Sequence, residues 1–220
     1  MLVRLDFLAV LVDWPLLAQG LVTTVALTAC AAPVGLALGI ACAWARINAG
    51  TPLRWAVGSY VELIRNTPFI VQLFFIFFGL PSLGVRLSPE TASALAMVIN
   101  LGAYAAEIVR AGLEATPRGL IEAGQSLALQ RRQIFMYIEL PPSLARVWPA
   151  ITSQIVIVML GSAVCGQIAA QELSYFAHLI QSRNFRAFEA YIVAALLYLG
   201  LAIALRAVLN AAGRRWLLTR

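Results

Sequence analysis

The sequence predicts an all-α integral membrane fold of about five transmembrane helices, with an N-terminal interfacial helix and one amphipathic cytoplasmic helix. Three observations predict it. Of the 220 residues, 61% are hydrophobic and only 12% charged, where a soluble domain carries about 25% charged residues. Several apolar runs reach the roughly 20 residues that a helix needs to cross a bilayer. The sixteen basic residues are all arginine and lie mostly in the gaps between those runs, as in positively charged cytoplasmic loops and unlike a nucleic-acid patch.

Residues 1–14 alternate apolar positions with Arg4, Asp6 and Asp13, and read as a helix lying on the membrane surface. Five spans follow, at about 20–45, 55–80, 89–113, 147–171 and 188–212. Within the first, Leu27-Thr28-Ala29-Cys30 mimics a lipoprotein cleavage box, but apolar sequence continues to Ala45, so it reads as membrane span. Ala31, Gly35, Gly39 and Ala43 recur there at four-residue steps, a spacing that lets another helix approach closely in lipid. Pro68 removes a backbone donor and is expected to kink the second span. Ser88-Pro89-Glu90 supplies a capping serine, a proline at the first helical position and an acid in the first turn of the third.

With the N-terminus outside, the inner face receives Arg46, Arg54, Arg110, Arg118, Arg131, Arg132, Arg146, Arg214, Arg215 and Arg220. The outer face keeps Arg4, Arg86, Arg183 and Arg186. That bias predicts a periplasmic N-terminus and a cytoplasmic C-terminus.

The third gap, 114–146, carries Glu114, Arg118, Glu122, Gln125, Arg131, Arg132, Gln133 and Glu139. Leu120, Ala123, Leu127 and Ile134 nevertheless recur at helical spacing, as on one face. Such a face either folds back on the bundle or docks on another protein.

Charges inside spans are costly and tend to pair. Glu62, Arg65, Glu107 and Arg110 fall in one leaflet, so a cross-helix pair, Glu62 with Arg110 or Glu107 with Arg65, is expected to brace the bundle. Gln72, Asn100 and Ser162 fall near the midplane of three different spans and form a candidate substrate path. Interhelical hydrogen bonding explains each of them equally well. Cys30, Cys42 and Cys165 lie inside apolar runs and read as small buried hydrophobes. With one histidine, His178, no metal site is expected. Without lysine there is no lysine-bearing phosphate loop, so the chain cannot hydrolyse ATP by that route.

Glu122-Ala123-Gly124, then Ala128, then Ile138-Glu139-Leu140-Pro141 resembles the signature loop of ABC-importer permeases: Glu-Ala-Ala, three residues, Gly, nine residues, Ile, any residue, Leu-Pro. Two positions depart, Gly124 for the third alanine and Ala128 for the glycine. Glycine permits backbone angles that alanine resists, so Ala128 bears directly on the turn between the two short helices. Tyr60-Val61-Glu62-Leu63-Ile64-Arg65-Asn66-Thr67-Pro68, Gln72-Leu73, Phe78-Gly79-Leu80-Pro81, Gly102-Ala103-Tyr104 and Glu107-Ile108-Val109-Arg110 resemble the polar-amino-acid (histidine/glutamine/arginine) branch of type I ABC importers. In the fourth span, Met159-Leu160-Gly161-Ser162-Ala163 stands where that branch often carries Lys-Asp-Thr-Ser-Leu.

The resemblance implies a bacterial inner-membrane permease subunit that receives amino acids from a periplasmic binding protein. It implies two ABC ATPase subunits that bind ATP and Mg, a second permease copy or sister permease, and no cofactor on this chain. It further implies that Glu122, Ala123, Gly124, Leu120, Leu127, Ala128, Leu129, Arg131 and Arg132 form the ATPase-coupling segment. The departure at Met159-Leu160-Gly161 marks either an altered substrate preference or the less substrate-engaged half of a heterodimer. The rival readings are an ATPase-independent transporter or channel, and a membrane enzyme, for which the sequence offers no nucleophile–base pair.

Overall fold

A computed structural model describes residues 5–217, all helix and connecting turn. In chain order the helices are α1 (Leu8–Leu11), α2 (Trp14–Asn48), α3 (Thr51–Arg65), α4 (Phe69–Phe74), α5 (Pro89–Glu114), α6 (Arg118–Ser126), α7 (Arg131–Gln133), α8 (Leu140–Gly161), α9 (Leu173–Asn184) and α10 (Ala187–Leu217). A π-helical turn, Ile134–Glu139, joins α7 to α8 without a gap, and a 3-10 segment, Ser162–Ile168, ends α8.

The bundle is organised by α2 against α5. All four residues of the small-residue stripe, Ala31, Gly35, Gly39 and Ala43, are buried. A Cβ on Gly35 would lie 2.9 Å from that of Leu101, and one on Gly39 would lie 2.5 Å from that of Ala105. Both partners advance together by four residues, so α2 and α5 run parallel. Two parallel neighbours require a crossing between them in the opposite direction. That crossing is α3 with the segment Phe69–Leu83, bent by 112° at the break. The pair is therefore one broken span, and the chain crosses five times. At the far end of α5, Gly112 packs on Ser143 and Val147 of α8. The Trp148 indole N–H then donates to the carbonyl of Leu209 on α10 at 2.9 Å. Consequently α8 returns and α10 crosses last. We refer below to the face holding Asn48, Glu114 and α6 as the α6 face.

Several sequence expectations change in detail. Pro68 does more than kink the second span: with Asn66-Thr67 it separates two helices. A proline there cannot donate to the Ile64 carbonyl in the preceding turn, and it pushes its predecessor out of helical geometry. The helix that carries the fourth apolar run begins at Leu140, ahead of the run itself, and its regular α-helix stops at Gly161. Among the described residues the N-terminal surface helix is the single turn α1, which seats the buried Val10. Asp6 beside it donates its backbone N–H to Glu189 of α10 at 3.1 Å. Arg4 lies outside the described residues. Cys42 and Cys165 are buried, but Cys30 is exposed on the outer wall of α2. The α5 cap forms as the sequence indicates, Ser88 accepting from the Thr91 N–H at 3.2 Å.

Gly39→Val should force α2 from α5 and cost about 1–3 kcal/mol, read as a lower unfolding temperature of the purified protein in detergent. Gly58→Ala on α3, where an added Cβ meets nothing within 4 Å, should leave it unchanged or raise it.

Candidate functional site

Three constructions on this frame can do chemical or mechanical work. The first sits at the broken span. Where α3 stops, its last carbonyls have no helical donors, and inside a bilayer no water replaces them. Gln72 on α4 supplies them, its amide donating to the carbonyls of Ile64 (2.7 Å) and Thr67 (3.0 Å) and to the Thr67 hydroxyl (3.0 Å). The carbonyl of the same side chain accepts from the Asn100 amide on α5 at 3.0 Å. Beside this staple opens a cavity of about 420 Å³, lined by Thr67, Pro68, Asn100, Tyr104, Gln154 and Gly161 among others. Its polar groups are uncharged, and it lies where a helix is discontinuous.

Of the three residues expected along the substrate path, Asn100 lines the cavity and Gln72 lies behind it, tied to the break. Ser162 does not join them: it is fully buried and its hydroxyl donates to the carbonyl of Met159 in its own helix at 2.6 Å. Sequence reasoning missed Thr67, Tyr104 and Gln154. Gln154 was findable as an uncharged polar residue within the fourth span. Tyr104 lies within the Gly102-Ala103-Tyr104 motif.

The second construction is a charge cluster on the α6 side of α5. Glu107 bonds Arg46 of α2, accepts from Arg110 at 2.9 Å, and lies 3.6 Å from Arg65 of α3. Arg110 also reaches Glu114 at 2.5 Å, and the Arg65 guanidinium sits 5.6 Å from the centre of the Tyr104 ring. Of the two anticipated cross-helix pairs, Glu107 with Arg65 forms. Glu62 with Arg110 does not, because Glu62 points outward from α3 and is exposed. Arg46, read from sequence as a loop charge, is a full member, because α2 stays helical to Asn48 and carries it alongside α5. One carboxylate thereby holds three helices.

The third is the elbow after α5. Helix α6 ends in a Schellman motif: the Ala128 N–H donates to the carbonyl of Gln125 at 2.9 Å and the Leu129 N–H to that of Gly124 at 3.2 Å. The motif needs a left-handed residue, and Ala128 adopts it, with φ 56°. Glycine, the residue of the signature pattern at this position, would adopt that conformation freely, and the turn forms with alanine all the same. Gly124 is buried because Ile138 and Ile134 press on it; a Cβ would come within 2.6 Å of Ile138 Cδ1. The departure at Gly124 therefore makes room for a side chain.

Leu120, Glu122, Ala123 and Leu127 are exposed, Leu129 half-buried. Ile134, assigned by periodicity to the same face, is buried instead, since the chain reverses at Ala128 and carries it under α6. Arg131 turns inward: it reaches Glu139 at 2.8 Å and donates to Asn48 Oδ1 at 2.6 Å. Arg132 is exposed.

Residues 35–217 match the family described as binding-protein-dependent transport system inner membrane component. The chain is 36% identical over 173 residues to the probable glutamine ABC transporter permease protein GlnM of Bacillus subtilis, covering 79% of this chain and 80% of that one. It is 32% identical to the glutamine transport system permease protein GlnP of Escherichia coli, covering 96% and 98% respectively. A crystal structure of an amino acid ABC transporter with histidines superposes with a TM-score of 0.85 at 33% identity, over 96% of this chain and 99% of that one.

Two substitutions probe these constructions. Glu107→Gln leaves three guanidiniums converging on a neutral group and should lower stability by about 2 kcal/mol, measured by thermal unfolding in detergent. Ala128→Gly should stabilise the elbow by roughly 0.5–1 kcal/mol, the left-handed strain it relieves less glycine's larger entropy cost. Slower hydrogen exchange at the Leu129 amide would register it.

Proposed function

The chain belongs to the family of binding-protein-dependent transport system inner membrane components, and from that premise we propose how its three constructions divide the work of transport. It is the inner-membrane permease of an amino-acid ABC transporter, a complex with ATPase subunits and a binding protein. It is non-catalytic, and ATP is hydrolysed on the partner subunits.

The α6 elbow is the coupling contact with the ATPase. The observation that carries this assignment is that Leu120 and Leu127 stand 46% and 74% exposed on a short helix. Glu122 projects from the same helix with no ion pair among the described residues. Apolar residues fill a groove on the partner, and Glu122 adds a polar contact. Gly124, Ala128 and Leu129 shape the elbow. Arg131 stiffens it through Glu139 and Asn48, so ATPase movement is delivered to α2 and α8 together.

The substrate is a polar amino acid, in keeping with the glutamine permeases that the chain resembles. The cavity at the helix break offers Thr67, Asn100, Tyr104 and Gln154 as uncharged hydrogen-bonding groups, suited to ammonium and carboxylate together. Gly161, within the departure from the branch pattern, lines this cavity. That supports an altered substrate preference over a half that does not engage substrate. A second permease, identical or sister, completes the path, and the binding protein delivers the amino acid from the periplasm.

The arginine bias supports an N-terminus on the periplasmic side and a C-terminus in the cytoplasm. The α6 face, with Arg46, Arg110, Arg131, Arg146 and Arg214 near it, is then cytoplasmic.

Co-purification tests the coupling assignment. An ATPase subunit should accompany the wild-type chain and be lost from an inserted Glu122→Ala, Leu127→Glu double variant; equal recovery with both would sink it. For the cavity, Asn100→Ala with Gln154→Ala should reduce uptake by the reconstituted complex at least about tenfold, through hydrogen bonds of about 1 kcal/mol each. Unchanged uptake would remove those residues from the path.

A further inference from the structure

A second cavity, of about 500 Å³, lies on the bundle's outer wall and shares no lining residue with the one at the helix break. It is a trough between α2, which contributes Ala37, Ala41 and Trp44, and the π-helical turn, which contributes Phe135 and Met136. Ala37 to Trp44 is seven residues, or roughly 10 Å along the helix axis. Trp44 meets Phe135 edge-on at 6.4 Å between ring centres. Ala37, Ala41 and Met136 are all exposed, so the trough opens outward along the last turns of α2, in the apolar run that the sequence reads as the first span.

At its α6 end stands Arg132, a lining residue with no hydrogen bond or ion pair among the described residues. The contrast with Arg131, satisfied by Glu139 and Asn48, is direct. Trp44 lies one helical turn from Asn48, where α2 ends, and tryptophan at that level marks the membrane–water interface. The site therefore combines an apolar trough at the α6 end of the first span with an unpaired guanidinium beside it, and the arginine stem can lie along the trough while its head reaches water.

We propose that this trough binds an anionic phospholipid from the leaflet on the α6 side, one acyl chain between α2 and the π-helical turn and its phosphate headgroup on Arg132. Charge selects the occupant: an apolar partner helix would leave Arg132 unmatched, and a zwitterionic lipid would match it only in part. The site joins α2 to the segment that carries the elbow into α8, so a bound lipid would bridge the two elements that the Arg131 contacts also connect.

Native mass spectrometry of the complex purified with its ATPase subunits, and offered equal amounts of dioleoylphosphatidylglycerol and dioleoylphosphatidylcholine, tests this. The wild type should retain phosphatidylglycerol about fivefold over phosphatidylcholine, the effect of one arginine near the surface. Arg132→Gln should bind both equally, Ala41→Trp should fill the trough and retain neither, and Arg54→Gln, elsewhere on the α6 face, should keep the preference. A preference that survives Arg132→Gln, falls equally in Arg54→Gln, or is absent from the wild type overturns the proposal, as does lipid retention by Ala41→Trp. A benzophenone on Ala41→Cys in a Cys30→Ser background should cross-link to phosphatidylglycerol. Capture of a second permease or an ATPase chain instead would identify a protein occupant and overturn it as well.

Discussion

The parallel contact of α2 with α5 is the constraint on which the rest of the architecture depends. In lipid there is no hydrophobic drive to bring two helices together, so association rests on close van der Waals packing. Gly35 and Gly39 permit it by presenting bare backbone to Leu101 and Ala105. Because the two helices run in the same direction, residues 49–88 have to recross the bilayer between them. That return path is made by a helix that cannot stay continuous, with Pro68 at its centre. The cavity follows in turn, since breaking the helix exposes carbonyls that have to be satisfied locally and leaves space beside them.

The satisfaction of those carbonyls ties the proposed substrate path to the scaffold. Gln72 bonds Ile64 and Thr67 on one side and Asn100 on the other. A group that holds the break closed therefore also orients a side chain lining the cavity. On the proposed reading, a shift in the angle between α3 and α4 would reach Asn100 through one hydrogen bond. The Glu107 cluster restrains the same angle from the α6 side, since Arg65 ends α3 and its guanidinium lies against Tyr104, another lining residue.

Much of this was legible in the sequence, and the exceptions share a cause. The five crossings, the α5 cap and the small-residue contact follow from composition, periodicity and local spacing, which are one-dimensional properties. The Glu107–Arg65 pair was also legible, because both residues fall at one depth in neighbouring spans. Arg46 was not, since nothing local says that α2 runs on to Asn48 and past the apolar stretch. Ile134 shares the period of Leu120 and Leu127, yet a left-handed residue between them reverses the chain and inverts its side. Ser162 was chosen by depth alone, and depth does not say which way a hydroxyl turns. It turned to its own backbone.

The elbow illustrates how departures from a pattern are absorbed. Glycine at position 128 would cost nothing in the left-handed region, whereas alanine carries a penalty of about 1–2 kcal/mol. Two backbone hydrogen bonds and the packing of Ile134 and Ile138 on Gly124 offset that penalty. The two departures are thus linked in space: the side chain lost at Gly124 admits Ile138, and that contact seats α6 on the segment leading into α8. The packing stiffens the elbow, because leaving the left-handed state breaks both terminal bonds and uncovers Gly124. Stiffness is what the position needs if force applied to an exposed helix of nine residues is to move α8 instead of bending the turn.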